Sequence, residues 1–222
     1  MRYDRNKPII SEDIQEKIGN TNICIIGLGG LGGQLVELIA RLGFKKLILI
    51  DGDIFNETNL NRQILSTEDN IGKFKADIAK ERVNMINSKI DVSTHKVYIN
   101  SLEDIHLFED SHLIMDGLDN VKSRLLIQEI AFALDIPLIH GAIGGWEGQY
   151  GFFSPDKNRM SMIYSEDAKI QKVANLTHMP NLIACMQVSL LIQYMINPNF
   201  SNMNKLFRIN VLDNSIIEID LS

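Results

Sequence analysis

A run of glycines between an apolar stretch and a helix-like stretch is the feature that most constrains this chain. Residues 23–26 are apolar, Gly27 follows them, and Gly29, Gly30 and Gly32 lead into a segment with helical periodicity. Glycine lets the backbone turn tightly and approach a polyphosphate, and the N–H groups and positive dipole end of the following helix attract negative charge. The sequence therefore predicts a nucleotide-binding turn between a strand and a helix.

Asp51 closes the next apolar stretch, residues 47–50, and supports this interpretation. The glycines satisfy the dinucleotide pattern, in which an acid at the end of the second strand holds a ribose hydroxyl. The alternative is that the glycines serve only close packing between strand and helix. The pattern leaves open which nucleotide binds.

Composition and charge exclude several classes of function. With 222 residues, 45% of them hydrophobic, the chain can bury a sizeable core. Its net charge is −6 and its Lys and Arg residues are scattered, so a nucleic-acid ligand is not expected. Residues 182–196 are interrupted by glutamines and are shorter than the roughly 20 apolar residues that span a bilayer. We expect a cytoplasmic protein without a membrane segment.

The two cysteines, Cys24 and Cys185, are too few for a four-ligand zinc site and do not form a disulfide framework. We therefore expect no structural zinc.

Strand-like and helix-like segments alternate along the first two thirds of the chain. This alternation predicts a Rossmann-like, doubly wound α/β fold whose sheet is mixed, because an antiparallel hairpin follows at the C-terminus. The predicted segments are strand 22–27, helix 31–42, strand 46–50, helix 73–87, strand 90–98, helix 101–108, strand 112–116, helix 120–134, strand 137–141, helix 180–196 and hairpin strands 206–212 and 216–221.

Two long connections interrupt this pattern. The segment between Gly52 and Gly72 has about twenty residues without a strong period, which is long for a compact α/β domain and indicates a functional loop. Residues 154–178 form a second such connection and could lie over a site.

Three charged residues are candidates for contact with a nucleotide. Arg62 and Lys75 follow the ribose acid at a distance that could bring both over the glycine turn; the alternative for each is a solvated surface cation. Asp119 follows strand 112–116 at its carboxyl end, where ligands bind in open α/β sheets. It could instead cap helix 120–134, although a capping acid can still hold Mg²⁺ when phosphates complete the shell.

Six segments together resemble the MoeB/ThiF/HesA family, the bacterial relatives of ubiquitin-activating enzymes. They occur in family order over roughly residues 1–200: Gly27-Leu28-Gly29-Gly30-Leu31-Gly32, Asp51-Gly52-Asp53, Asn59-Leu60-Asn61-Arg62-Gln63, Gly72-Lys73-Phe74-Lys75-Ala76, Asp116-Gly117-Leu118-Asp119-Asn120 and Gly141-Ala142-Ile143-Gly144-Gly145-Trp146-Glu147-Gly148-Gln149. The resemblance implies a single adenylation domain over 1–222, with a nucleotide-binding half at about 20–141 and a crossover loop at about 154–178.

The resemblance also implies roles for individual residues. Asp51 would bind the ribose of ATP, Asp119 would hold Mg²⁺, and Arg5 would reach into the ATP site of the neighbour in a homodimer. The rest of the implied nucleotide-binding set is Gly27, Gly29, Gly30, Gly32, Asp53, Asn59, Arg62, Gln63 and Lys75, of which Asn59, Arg62 and Lys75 would contact the phosphates.

The activity implied by the resemblance is adenylation of the C-terminal glycine of a ubiquitin-like sulfur-carrier protein ending in Gly-Gly. Positioning and charge neutralisation by Arg62, Lys75, Asn59 and the metal bound by Asp119 would provide most of the catalysis, so Arg62, Lys75 and Asp119 are the expected catalytic residues. The sequence does not say whether the pathway leads to thiamine, molybdopterin or another product.

Two departures from the family pattern matter. The pair of Cys-x-x-Cys motifs that holds zinc in many relatives is absent, and residues 154–178 contain no cysteine for a covalent link to the carrier. Cys185 shares a helical stripe with Leu182, Ser189, Ile192 and Ile196, a spacing that predicts a buried face rather than a nucleophile. The sulfur donor is therefore expected to be another protein.

Three other functions are compatible with parts of the sequence. An NAD(P)-dependent oxidoreductase would use the same glycines and Asp51 but would leave Arg62, Lys75 and Asp119 without roles. A relative that activates a tRNA-attached carboxylate is a second alternative, although the acidic charge and Glu147-Gly148-Gln149 favour a protein carrier. A non-catalytic scaffold is the third, and retention of all three charged residues argues against it.

Overall fold

The computed structural model describes residues 2–165 and 174–222, in which eight strands form one sheet. The strands are β1 (Asn22–Ile26), β2 (Lys46–Ile50), β3 (Asp91–His95), β4 (Leu113–Asp116), β5 (Leu138–Gly144), β6 (Glu147–Phe153), β7 (Lys205–Asn210) and β8 (Ser215–Asp220). The helices are α1 (Glu12–Gly19), α2 (Gly30–Leu42), α3 (Lys75–Ile86), α4 (Val121–Ala133), α5 (Met160–Ile163) and α6 (His178–Ile196).

The strand order is β3-β2-β1-β4-β5-β6-β7-β8. The first five strands are parallel, and β6, β7 and β8 each pair antiparallel with the strand before them. The prediction of a mixed α/β sheet with antiparallel C-terminal strands is confirmed. Because β2 and β4 flank β1, the chain reverses its winding direction there, and the ends of these three strands form the crevice where such sheets bind ligands.

Both faces of the central strands are buried, which explains why these strands are apolar without alternation. In β1, Ile23 and Ile25 pack into one cluster, while Cys24 and Ile26 pack into the other. Helices α2, α3 and α6 cover the first face; α4, α5 and a 3-10 segment at Leu102–Leu107 cover the second. Helix α6 is long and apolar enough to cross a membrane, but half of that window is buried within the fold.

Several predicted elements differ in extent from the structure. The strand predicted over 90–98 ends at His95, and the helix predicted over 101–108 is a 3-10 segment. Strand β5 continues to Gly144, three residues beyond the predicted end, because it pairs with β6 along that whole length. Helix α1, for which the sequence pattern gave no expectation, begins where the Ser11 hydroxyl accepts a hydrogen bond from the Ile14 N–H at 3.3 Å.

Candidate functional site

The glycines of the turn after β1 divide into two groups. Gly27 has a φ of 79°, and a Cβ on Gly32 would lie 1.7 Å from the Gly27 carbonyl oxygen. These two glycines are therefore required by packing of α2 against β1, as the packing alternative proposed. A Cβ on Gly117, after β4, would lie 2.3 Å from the same oxygen, so this third glycine belongs to the same contact.

Gly29 and Gly30 instead face the loop between β2 and α3. A Cβ on Gly29 would come no closer than 3.5 Å to the Gln63 side chain, whereas a Cβ on Gly30 would lie 3.3 Å from Pro180 Cγ of α6 and 3.6 Å from the Arg62 carbonyl oxygen. Gly29 is the N-cap of α2 and carries no side chain to satisfy the first N–H groups of the helix. The long loop thus brings Arg62 and Gln63 to the glycine turn, at a helix end suited to an anion.

Asp51 lies at the carboxyl end of β2 and braces the glycine turn. Its Oδ2 accepts a hydrogen bond from the Leu28 N–H at 2.6 Å, and its Oδ1 accepts one from the Asp53 N–H at 2.7 Å. Burial raises the pKa of Asp51, and Lys75 and these N–H groups only partly oppose that shift. The side chain is half-buried, so it is placed at the turn without being sealed from a ligand.

Lys75 is not a solvated surface cation. It is the first residue of α3, its side chain is only 7% exposed, and its Nζ lies 2.9 Å from Asp53 Oδ2. Tyr98 donates its hydroxyl hydrogen bond to the same Asp53 carboxylate. Burial raises the pKa of Asp53, but the Tyr98 hydroxyl and Lys75 outweigh it and lower the pKa below its ordinary value. An anionic partner therefore offsets the helix-dipole penalty on Lys75.

The remaining polar residues of the long loop hold its shape and leave one buried atom without a partner. Asn59 is buried and its Oδ1 accepts a hydrogen bond from the Asn56 N–H at 3.1 Å. The half-buried Arg62 donates from its guanidinium to the Thr58 carbonyl oxygen at 2.9 Å. Gln63 is buried beside Gly29, and its Oε1 has no hydrogen-bond partner. A polar atom in this state fits a site whose ligand completes its bonding.

Asp119 is exposed after β4 and makes no hydrogen bond or ion pair with any described residue. The alternative that Asp119 caps the following helix is wrong, because Asn120 is the N-cap of α4 and its Oδ1 accepts from the Ser123 N–H at 2.9 Å. A free carboxylate at the ligand-binding edge fits Mg²⁺, which needs only one or two carboxylates when phosphates and water supply the other oxygens. No group of three or more metal-binding side chains occurs within residues 2–165 and 174–222.

A buried polar network beneath Asp119 was not expected from the sequence. Asp116 and His140 are completely buried, and His140 Nδ1 lies 2.7 Å from Asp116 Oδ2. Arg124, also buried, donates to the carbonyl oxygen of Leu118. Burial lowers the pKa of His140 against the opposing effect of Asp116, which favours the neutral imidazole. The available signal was a histidine inside an apolar strand, which by itself has no distinctive spacing.

Two predicted residues lie away from this site. Arg5 is exposed on an N-terminal segment that Tyr3 holds near Gly43, the residue that ends α2 at the opposite end from the glycine turn. Cys185 is exposed, so the prediction that its stripe is a buried face is wrong. Residues of that stripe instead line an open cleft between α6, α2 and the N-terminal segment, together with Ile9 and Leu38.

Comparisons with known proteins identify several relatives by sequence. The chain is 32% identical over 157 residues to the probable adenylyltransferase/sulfurtransferase MoeZ of Mycobacterium tuberculosis, a match covering 70% of this chain and 40% of the relative. It is 29% identical over 154 residues to the sulfur carrier protein adenylyltransferase of Thermus thermophilus, covering 68% and 57%. It is 26% identical over 198 residues to the SAMP-activating enzyme E1 of Haloferax volcanii, covering 85% and 73%.

Solved structures show the same fold. The crystal structure of E. coli MccB with ATP superposes with a TM-score of 0.85 at 24% identity, over 100% of this chain and 71% of that one. The structure of PaaA gives a TM-score of 0.84 at 23% identity, over 99% and 72%. The chain spans 40% of MoeZ and 57% of the Thermus enzyme. Because the ThiF family model matches residues 3–222, the chain belongs to the ThiF family.

Proposed function

We propose that this protein is an adenylyltransferase that uses ATP to activate the C-terminal carboxylate of a ubiquitin-like sulfur-carrier protein ending in Gly-Gly. One observation carries the proposal: a helix N-terminus without a capping side chain, a half-buried acid, a buried lysine and an unpaired carboxylate lie at one edge of the sheet. The names of the relatives MoeZ and the Thermus enzyme, which include adenylyltransferase and sulfur carrier, support it.

In this proposal ATP lies across the ends of β1, β2 and β4. Asp51 accepts a hydrogen bond from the ribose, since its two oxygens each have a lone pair left after the Leu28 and Asp53 N–H groups are satisfied. The phosphates lie over Gly29 and Gly30 at the start of α2, where Asn59, Arg62 and Gln63 line the loop above them. Gln63 gains the partner that its side chain lacks.

The reaction needs little covalent participation from the protein. A carboxylate oxygen of the carrier attacks the α-phosphorus, the bond from that phosphorus to the bridging oxygen breaks, and pyrophosphate leaves with the electron pair. Because the attacking carboxylate is already ionised, no general base is required. Lys75 and Arg62 neutralise charge on the phosphates, and rigid placement of the two reactants supplies the rest of the rate enhancement.

Asp119 is the residue that would hold Mg²⁺ in this site. The ion, when bound, would neutralise phosphate charge and help pyrophosphate to leave. The ion pair of Lys75 supports the choice of Asp119, rather than Asp53, as the metal ligand. Asp53 is already paired with Lys75 at 2.9 Å, whereas Asp119 has no competing cation among the described residues.

The proposal includes a homodimer in which Arg5 serves the neighbouring ATP site. The N-terminal segment supports this part, because Tyr3 holds it near Gly43 and so keeps Arg5 away from the glycine turn of its own chain. A mixture of Arg5→Ala and Asp119→Ala subunits tests it. If Arg5 acts in trans, mixed dimers regain one intact site; if it acts in cis, mixing restores nothing.

The sulfur donor in this proposal is a separate protein. Cys24 is completely buried in β1, and burial raises the pKa of its thiol far above the ordinary value. Cys185 lies in the α6 cleft rather than among the site residues. A cytoplasmic location follows from the use of ATP, and fractionation of cells that express the chain tests it.

ATP–pyrophosphate exchange is the decisive experiment. Purified protein and Mg²⁺ are incubated with carriers of the thiamine and molybdopterin pathways, each beside a copy that lacks the last glycine. Exchange that requires the intact tail supports carboxylate adenylation and assigns the pathway. Absence of exchange with every carrier, in protein that binds ATP, refutes a Gly-Gly protein carrier as substrate and favours the tRNA-attached carboxylate or scaffold alternative. Protection from thermal unfolding by NAD but not by ATP would favour the oxidoreductase.

A further inference from the structure

The buried network beneath Asp119 extends to the surface through Tyr164, the residue directly after α5. The Tyr164 hydroxyl lies 3.2 Å from His140 Nε2 and 2.7 Å from Gln149 Nε2. Its ring also lies over the Arg124 guanidinium, 5.5 Å from ring centre to Cζ. Tyr164 is half-buried, whereas His140 and Asp116 are fully buried. A continuous polar chain therefore runs from the face covered by α5 to the end of β4.

The hydrogen-bond directions along this chain are mutually consistent. Asp116 Oδ2 accepts from His140 Nδ1–H at 2.7 Å, which leaves Nε2 of the neutral ring as an acceptor. The Tyr164 O–H lies 3.2 Å from that nitrogen and the Gln149 Nε2–H group lies 3.0 Å from it, so both donors face it, and Gln149 Nε2–H also donates to the Tyr164 oxygen at 2.7 Å. These contacts hold the imidazole and the carboxylate in one orientation.

The inner end of the chain holds the backbone that carries Asp119. Asp116 Oδ1 accepts from the Leu118 N–H at 2.8 Å, and Arg124 donates to the Leu118 carbonyl oxygen. Both backbone polar groups of Leu118, the residue before Asp119, are therefore held by buried side chains. Since the Asp119 side chain has no partner of its own among the described residues, this backbone sets where its carboxylate lies.

We propose that Tyr164 and His140 are positioning residues that act through Asp116 and Leu118 to place the Asp119 carboxylate for its metal. This inference rests on the proposed function, because it assigns a metal ligand to Asp119. A purely structural role is a poor explanation for the network, since burying a charged carboxylate costs more than filling the same space with apolar side chains. Tight placement does matter for a ligand, because small displacements lower reaction rates strongly.

The test compares two tyrosines that each lose one hydroxyl. Tyr164→Phe removes the hydroxyl that contacts His140 and Gln149 and leaves the ring in place, with Gln149 as the remaining donor to His140 Nε2. Tyr150→Phe is the matched control, since Tyr150 is also buried on the same sheet but its hydroxyl makes no hydrogen bond with a described residue. His140→Phe is the stronger variant, because it keeps an aromatic ring beside Phe153 but removes both nitrogens.

Two measurements are made on all three variants. In ATP–pyrophosphate exchange, Tyr164→Phe should raise the half-saturating Mg²⁺ concentration and lower the maximal rate by roughly tenfold, with the KM for the carrier unchanged. In hydrogen–deuterium exchange without nucleotide, the peptide over residues 112–124 should exchange faster than in wild type. His140→Phe should show larger effects of both kinds, and Tyr150→Phe neither.

The outcomes separate this inference from the proposed function. If Tyr164→Phe matches Tyr150→Phe in both measurements, the positioning role is refuted, even if His140→Phe unfolds. If the half-saturating Mg²⁺ concentration is unchanged while the KM for the carrier rises, the role in placing Asp119 is also refuted. If wild-type protein shows no exchange with any carrier, the proposed function fails, and the deuterium measurement still decides whether Tyr164 restrains the peptide that contains Asp119.

Discussion

Two turns at the ligand-binding edge of the sheet each contain two aspartates: Asp51 and Asp53 after β2, and Asp116 and Asp119 after β4. The first aspartate of each turn makes the same backbone hydrogen bond. After β2, Asp51 accepts a hydrogen bond from the N–H two residues ahead, that of Asp53, at 2.7 Å. After β4, Asp116 accepts from the N–H two residues ahead, that of Leu118, at 2.8 Å. This side-chain-to-backbone hydrogen bond is typical of Asp in turns. We call Asp51 and Asp116 the inner acids, and Asp53 and Asp119, which follow them, the outer acids.

The surroundings of the two inner acids differ. Asp51 is half-buried, and its second oxygen accepts a hydrogen bond from the Leu28 N–H of the glycine turn. Asp116 is fully buried, and its second oxygen accepts a hydrogen bond from His140 Nδ1–H. A ligand can therefore reach Asp51 but not Asp116. Sequence position alone would have treated the two acids as equivalent, since both end a strand at the ligand-binding edge.

The two outer acids differ in whether their carboxylates are paired, and here it is the acid after β2 that is tied up. Asp53 is tied to Lys75 and Tyr98, whereas Asp119 has no partner among the described residues. The first turn thus presents an acid that a ligand can reach and an Asp53–Lys75 ion pair, and the second presents an unpaired carboxylate next to a buried polar network. The following variants test whether this difference has functional consequences.

Asp119→Ala should give the largest effect, a loss of about 10³-fold in the maximal rate of ATP–pyrophosphate exchange. In the proposed site the Asp119 carboxylate would hold the Mg²⁺ that neutralises charge on the phosphates, so the variant should lose that ion. Because the side chain is exposed and unpaired, the free energy of unfolding should change by less than about 0.5 kcal/mol. Glu129→Ala, an exposed acid on the adjacent α4, is the control. Near-normal exchange in Asp119→Ala would remove this residue from the metal site.

Asp116→Ala should show the reverse, a large loss of stability. Removing one partner of a buried network leaves Arg124 without its ion-pair partner and the Leu118 N–H without its acceptor, and should cost about 3 kcal/mol in urea unfolding. Asp51→Ala provides the comparison, since its side chain is half-buried and should lose more in ATP affinity than in stability. Equal stability losses in the two variants would show that the inner acids are equivalent after all.

Lys75→Met should weaken ATP binding by about 2 kcal/mol, or roughly 30-fold, through loss of a charge-assisted contact with phosphate. The pKa of Asp53 should rise at the same time, because Lys75 helps to lower it. Calorimetric titration with ATP measures the first effect. Lys73→Met is the matched control, since Lys73 lies two residues earlier and is exposed. Equal losses in the two lysine variants would indicate a general effect of net charge.

The elements that the sequence predicts well are those with local signals. The glycine turn, the β2 acid and the free acid after β4 each follow an apolar strand directly, so neighbouring residues in the chain identify them. The paired state of Lys75 had no such signal, because its partner Asp53 lies 22 positions away in sequence. The buried state of His140 likewise depends on Asp116, 24 positions away.

Helix α6 shows a different reason for failure. Its apolar residues occur on every face, so periodicity could not identify the side that packs on the sheet. The structure buries Ile183, Ala184, Val188 and Leu191, the stripe next to the predicted one. The alternative that Asp119 is the N-cap of α4 was wrong by one residue. Asp119 and Asn120 are both good N-cap residues, and only the backbone geometry distinguishes them.

Cys185→Ser should have the smallest effect, with exchange activity within about twofold of wild type and stability within about 0.5 kcal/mol. This result follows because Cys185 is exposed on α6 and contacts none of the site residues. A thiol-reactive maleimide adds a structural readout. In unfolded protein both cysteines should react; in native protein Cys24 should be protected, because it is buried and its pKa is raised. Reaction of native Cys185 would indicate an open cleft, whereas its protection at high protein concentration and reaction on dilution would indicate that a second subunit covers α6. Loss of exchange in Cys185→Ser would contradict the position of this thiol outside the site and make it the candidate for a covalent link to the carrier.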